Sequence, residues 1–176
     1  MSDTPSPPLS NLLEALSSLH ESLAAITQLT HQEVELLANA RVDDLKRTLK
    51  LKGELLVRSS VTRDSARKFA AEVLGVQLTE HARLATLVED IGRDLERLEK
   101  HEPYDLLTST WQDIIACLDD LERAQQMSER LAVQGMEWIE GCLAHLTEPR
   151  KQNSGSVYTR QGRAQGASNS FLQRKA

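Results

Sequence analysis

Apolar residues recur in helical steps of three and four from Leu9 to Leu146. Leu9, Leu12, Leu16, Leu19, Leu23 and Ile26 form the first stripe, widened by Leu13, Leu29, Val34, Leu36 and Leu37. The spacing predicts an amphipathic helix reaching about Asn39, with Ser6 as its cap and Pro7 tolerated at its first position. The stripe turns polar in register at Thr30 and Glu33, where packing is expected to loosen or change face. Around Ala40–Asp44 the pattern restarts: Val42, Leu45, Leu49 and Leu56 share a face, with Lys46, Arg47 and Lys50 outside and Asp43 and Asp44 near the helix start. A tight turn and a continuous helix both fit residues 38–43. The second stripe continues more weakly through Phe69, Val73 and Leu74.

Residues 75–80 are the clearest interior break, with Gly75 ending one helix and Thr79 expected to cap the next. Leu84, Leu87, Ile91, Leu95 and Leu98 then repeat with Val88 beside them. Gly92 in their midst implies either close packing or a propensity cost of about 1 kcal/mol. Pro103 interrupts, and a last helix is predicted from about Asp105 to Leu146. Its seam is Leu107, Trp111, Ile114, Leu118 and Leu121, resuming at Leu131, Gly135, Trp138 and Cys142. Gln125 and Ser128 fall on the seam between those halves, so it either rotates there or leaves a polar gap facing a neighbour. A helix this long needs lateral support. The predicted fold is all-α: an elongated antiparallel helical hairpin or bundle of three or four helices, with coiled-coil character and a flexible C-terminal tail.

The last residues change the picture. Thr147, Glu148 and Pro149 close the periodicity, and RKQNSGSVYTRQGRAQGASNSFLQRKA is basic and rich in Ser, Gly and Gln. Such a segment has too few apolar groups to offset its ordering entropy. It nevertheless carries Tyr158 and the pair Phe171-Leu172, which could anchor it on another surface. The expected organisation is a flexible lead over 1–8, a helical domain over 9–147 and a disordered basic tail over 148–176.

Composition narrows the class. Two Trp, two Tyr and two Phe leave the core to Leu, Ile, Val and Ala, which suits helices meeting side by side. The net charge of −5 is segregated, with residues 41–75 and the tail basic and residues 1–40 and 76–147 acidic. The basic stretches are interrupted by acids and lack an aromatic stacking platform, so nucleic acid is not the expected partner. Cys117 and Cys142 lie in apolar stretches without CxxC spacing and read as small buried hydrophobes. No basic region precedes the first apolar residues and no apolar run approaches a span, so membrane insertion is not expected and a cytoplasmic compartment is. His20, His31, His81, His101 and His145 are scattered, and no phosphate-binding glycine loop is present. Neither catalysis nor a cofactor or metal is expected.

A flexible, sticky end on a long helical body points to a protein that holds another chain. Leu16, Leu19, Leu23 and Ile26 are expected in the core. Apolar surface that the fold does not consume is expected where the last seam breaks, giving Leu118, Leu121, Met127, Leu131, Trp138 and Leu143 as candidate client-binding residues.

The layout resembles the FlgN-type flagellar export chaperones over nearly the whole chain. The resemblance is carried by LLEALSSLHESLAAI, by HQEVELLANARVDDLKRTLKLKGELL, by ERLAVQGMEWIEGCLAHL and by SVYTRQGRAQGASNSFLQRKA. In that tail Tyr158, Gly162, Ser170, Leu172 and the ending Arg174-Lys175-Ala176 fall as the family's do. One departure is Gln134-Gly135, where the family commonly has Asn-Gly; Gly135 keeps the option of a close approach. The resemblance implies a cytoplasmic chaperone that binds the C-terminal helical segment of hook–filament junction (hook-associated) proteins. It would prevent their premature assembly and deliver them to the cytoplasmic domain of the export gate, with Tyr158 at the position associated with gate docking. A structural coiled-coil scaffold or self-associating secretion component is the alternative on the leucine seams alone, and a homodimer through an unused stripe fits either.

Overall fold

The computed structural model describes residues 6–147. They form four α-helices: α1 (Pro7–Ala38), α2 (Val42–Leu74), α3 (Leu84–Arg97) and α4 (His101–Thr147). The chain divides into two compact units, the first ending at Gly135. Among the described residues the second unit is the end of α4, where Met136, Trp138, Ile139 and Leu143 are exposed.

In the first unit α1 and α2 form an antiparallel hairpin. Ala25 and Leu29 lie against Leu51 and Leu55 near the turn, and Ala15 and Ser18 against Val61, Ser65 and Phe69 at the far end. The first stripe is consumed as expected: Leu12, Leu16 and Ile26 are fully buried, with Leu9, Leu19 and Leu23 beside them. Leu84, Leu87, Val88, Ile91 and Leu95 of α3, and Leu107 and Ile114 of α4, complete the same core. Each such side chain contributes roughly 1.5–3 kcal/mol through removal from water. α4 runs in the same direction as α1, since Thr27 meets Cys117, His31 meets Asp120 and Glu33 meets Ser128. Cys117, half-buried, packs on the core with its Sγ 3.5 Å from Thr27 Oγ1.

Within the 38–43 stretch the chain turns tightly over residues 39–41. The amide of Ala40 donates to the Leu37 carbonyl and that of Arg41 to Leu36, which places Ala40 in the left-handed region at φ 53°. Gly75 ends α2 by the same double bond pattern, Gly75 to Glu72 and Val76 to Ala71, at φ 65°. Glu99 ends α3 likewise at φ 54°. Glycine holds this conformation without penalty, whereas a side chain with Cβ is disfavoured there by roughly 1–2 kcal/mol. Ala40→Gly is therefore expected to raise unfolding stability by about 1 kcal/mol in a urea titration, despite the greater freedom it gives the unfolded chain.

Two boundaries differ from the sequence expectation. Thr79 does not cap a helix, because α3 begins only at Leu84. Instead Arg67 of α2 donates to the carbonyls of Thr79, Glu80 and Ala82, satisfying backbone groups that a helix would otherwise use. Pro103 does not delay α4 beyond it; it sits in the first turn, where its missing N–H would have had no intrahelical acceptor.

The face of α2 is a third difference. Its buried residues are Thr48, Lys52, Ser59, Ala66, Ala70 and Ala71, while Val42, Leu49 and Leu56 stay exposed. Small and polar groups therefore face α1, and the leucine stripe lies one step round the helix. Gly92 is not a site of tight packing, since a Cβ there would lie 3.8 Å from Tyr104 Cε2, an ordinary contact.

Candidate functional site

Where the leucines of α2 and α4 turn away from the core they line a cleft of about 750 Å³. Ile26 and Glu33 of α1 form its floor. Leu49, Lys52, Gly53 and Leu56 form the α2 wall, and Leu118, Leu121, Glu122 and Gln125 the α4 wall. Leu49, Leu56 and Leu118 are 45, 47 and 44% exposed, so each keeps about half its surface in water. The half-buried Leu121 links this wall to the core.

α3 explains why the cleft exists. It lies against α4 over Tyr104, Leu107, Thr108, Trp111 and Ile115, and against α2 near Ala66 and Ala70. On α4 the side that meets α3 continues, turn by turn, into Leu118, Glu122 and Gln125. Along α2 and α4 the lane beside α1 is thus filled by α3 at one end. Because α3 starts as late as Leu84, the lane is open at the other end. The cleft is the open part.

A buried polar layer closes the base of this opening. Lys52 Nζ donates to Glu33 Oε2 at 2.8 Å and to Gln125 Oε1 at 2.9 Å, and Ser128 Oγ donates to Glu33 Oε1 at 2.6 Å. The Lys52 and Glu33 side chains are each only 11% exposed. Beneath it Thr30 is buried with its hydroxyl on the Ile26 carbonyl. Every buried side-chain nitrogen and oxygen among the described residues has a partner. The two polar interruptions of the sequence pattern, at Thr30/Glu33 and at Gln125/Ser128, are thus one feature seen from two helices.

The candidate residues named from the sequence do not all meet. Leu118 and Leu121 stand together in the cleft. Met127 is exposed on the opposite side of α4 from Leu118, nine residues on, and Leu131 is half-buried outside the lining. Trp138, 72% exposed, and Leu143 belong to the second unit. Among the described residues no atom beyond its own helix turn comes within 4 Å of a Cβ at Gly135, so none of them uses the close approach it permits. Tyr158, Phe171 and Leu172 lie outside the described residues. Sequence reasoning missed Leu49, Gly53 and Leu56 as cleft residues; the available signal was a leucine face on a helix whose other side carries small residues.

Among the described residues no group of three His, Cys, Asp or Glu is placed to hold a metal, and no helix is long and apolar enough to cross a membrane. The arrangement offers apolar area with a polar base, which suits binding a helix.

A family model described as FlgN protein matches residues 8–166. The chain belongs to the FlgN family. That match extends over all four helices and into the C-terminal segment, so the family assignment covers the cleft as well as the scaffold. As a FlgN-family protein it is a chaperone of flagellar biogenesis, working on a protein cargo rather than as an enzyme. No curated protein and no solved structure matches the chain.

Proposed function

We propose that this FlgN-family chain is a cytoplasmic type III export chaperone that receives the C-terminal helical segment of hook–filament junction proteins in the α2–α4 cleft. The observation behind this reading is the half-exposed leucine set Leu49, Leu56 and Leu118 around an open helix-wide lane. An amphipathic helix laid there would bury its own stripe against these leucines, at roughly 25 cal/mol per Å² of apolar area before ordering costs. Its stripe would then be withheld from other copies of the client, which prevents premature assembly. Release needs no covalent step, because the contacts are those of helix packing alone.

Co-expression with candidate junction proteins, followed by size exclusion and calorimetry, tests the reading. A defined complex that disappears when the client's C-terminal helix is deleted is the expected result. Tight self-association with no client complex would favour the scaffold alternative.

Delivery to the export gate is assigned in this proposal to the C-terminal segment, with Tyr158 as the contact and Phe171-Leu172 as anchors. Tyr158→Ala should leave client affinity within about twofold and weaken binding to the gate's cytoplasmic domain about tenfold or more, as the loss of a buried aromatic anchor would. Equal losses of both in parallel pull-downs would contradict that division of labour.

A further inference from the structure

We infer that the helix received by this cleft carries two cations seven residues apart on one flank of its apolar stripe, facing Glu122 and Glu129 of α4; this rests on the proposed use of the cleft. The inference comes from comparing the filled and open parts of one lane. Where α3 occupies it, the edge of α4 that borders the helix is uncharged: Thr108, Gln112 and Ile115 line that contact. Where the lane opens, the same edge becomes Glu122, which lines the cleft, and two turns on, just past the lining, the helical repeat puts Glu129 on that edge. Both are exposed, and among the described residues neither has an ion pair. Glu122 accepts the Gln126 amide at 3.3 Å and Glu129 the Gln125 amide at 3.2 Å.

Among the α2 residues that line the cleft, none offers an uncommitted charge. Leu49, Gly53 and Leu56 are apolar or lack a side chain, and Lys52 is committed to Glu33 and Gln125. A docked helix would therefore meet leucines on one side and a negative edge on the other. α3 shows what shape fits, with apolar residues at Leu84, Leu87, Val88, Ile91 and Leu95 entering the lane. A partner built like α3 completes the packing, and Lys or Arg at i and i+7 answers two carboxylates separated by two helical turns. Leucines alone would admit almost any amphipathic helix, so this edge supplies selection.

Two synthetic peptides of about 20 residues test this, using the full-length chain. Both share one leucine stripe of α3-like spacing; one carries Lys at the two flank positions and the other Glu. Titration at low salt should show the Lys peptide binding about tenfold tighter, with the gap closing as salt rises. Glu122→Lys with Glu129→Lys should reverse the preference, while circular dichroism stays unchanged because neither residue is in the core. Equal affinity for both peptides, with both lost in Gly53→Phe, would overturn the charge inference and leave the cleft standing. Retention of both peptides by Gly53→Phe would instead remove the cleft itself. Self-association of the chain that vanishes in Gly53→Phe would give the lane to a second copy and overturn the inference.

Discussion

Replacing Lys52 by Met is expected to cost about 3–5 kcal/mol of unfolding stability, because it leaves the Glu33 carboxylate buried without its cation. The side chains of Glu33 and Lys52 are each 11% exposed and 2.8 Å apart, so water reaches the carboxylate only from the cleft side and replaces the lost ammonium poorly. Ser128 alone would remain on the carboxylate. A loss of that size is a large part of the 5–15 kcal/mol typical of a domain, and it should show as a lower urea midpoint with an unchanged slope. The double variant Glu33→Leu with Lys52→Met should recover most of it, to within about 1.5 kcal/mol of the parent, since leucine and methionine fill the space without a charge to solvate. The Ser128 hydroxyl can then turn to its own helix, as those of Thr27 and Thr30 do. A single variant as stable as the parent would show that the pair is solvated in solution.

If the polar layer adds little net stability, its value lies in register. A slip of α4 by one turn would set Ala124 or Ala132 against the Glu33 carboxylate, and Leu121 or Glu129 against Lys52. Neither alanine donates to the carboxylate and Leu121 accepts nothing from the ammonium, while Glu129 would add a second carboxylate to the layer where Gln125 brings a neutral amide. The layer therefore fixes how far α4 has travelled along the α1–α2 hairpin, and with it the facing of Leu49 and Leu56 to Leu118 and Leu121. Stability and the shape of the cleft are coupled through these four residues.

The second large effect is on binding. Gly53→Phe should lower client affinity at least tenfold, equivalent to about 1.4 kcal/mol, while leaving the fold as stable as before or slightly more so. Gly53 lies mid-helix on the cleft wall, and a Cβ built there meets no atom within 4 Å. Phenylalanine is a better helix former than glycine by a few tenths of a kcal/mol, so the helix does not resist the change. The ring would occupy space between Leu49, Leu56 and Leu118 that the client's own side chains need. Calorimetry of the variant with a junction protein, alongside its thermal melt, separates the two effects. Unchanged affinity with a ring in the cleft would mean that the client binds elsewhere, for instance on the exposed end of α4.

Much of this was legible from the apolar pattern, and the exceptions have physical causes. The α1 stripe announced its burial because leucine at three- and four-residue steps has no other stable use in water. The break at Gly75 was legible because glycine takes the left-handed conformation freely. The turn at 39–41 was one of two alternatives the pattern left open, and the end of α3 carried no mark, because Ala40 and Glu99 hold that conformation without the residue that signals it. The polar positions Glu33, Gln125 and Ser128 were visible as interruptions, but their mutual pairing joins residues 95 apart in sequence and only three dimensions reveal it. On α2 the leucine stripe misled. Hydrophobicity identified Leu49 and Leu56 as the packing face, yet close approach to α1 favours Thr48, Ser59, Ala66 and Ala70. That reversal is what leaves the leucines for the cleft, so the misreading and the site have one origin.

The most direct test of the cleft is methyl NMR of the full-length chain, leucine-labelled and titrated with the client's C-terminal helical segment. Leu49, Leu56, Leu118 and Leu121 should shift, while Leu12, Leu16 and Leu107, sealed in the core, should stay in place. Shifts confined to Leu131 and Leu143, with Leu49, Leu56 and Leu118 unmoved, would contradict the account.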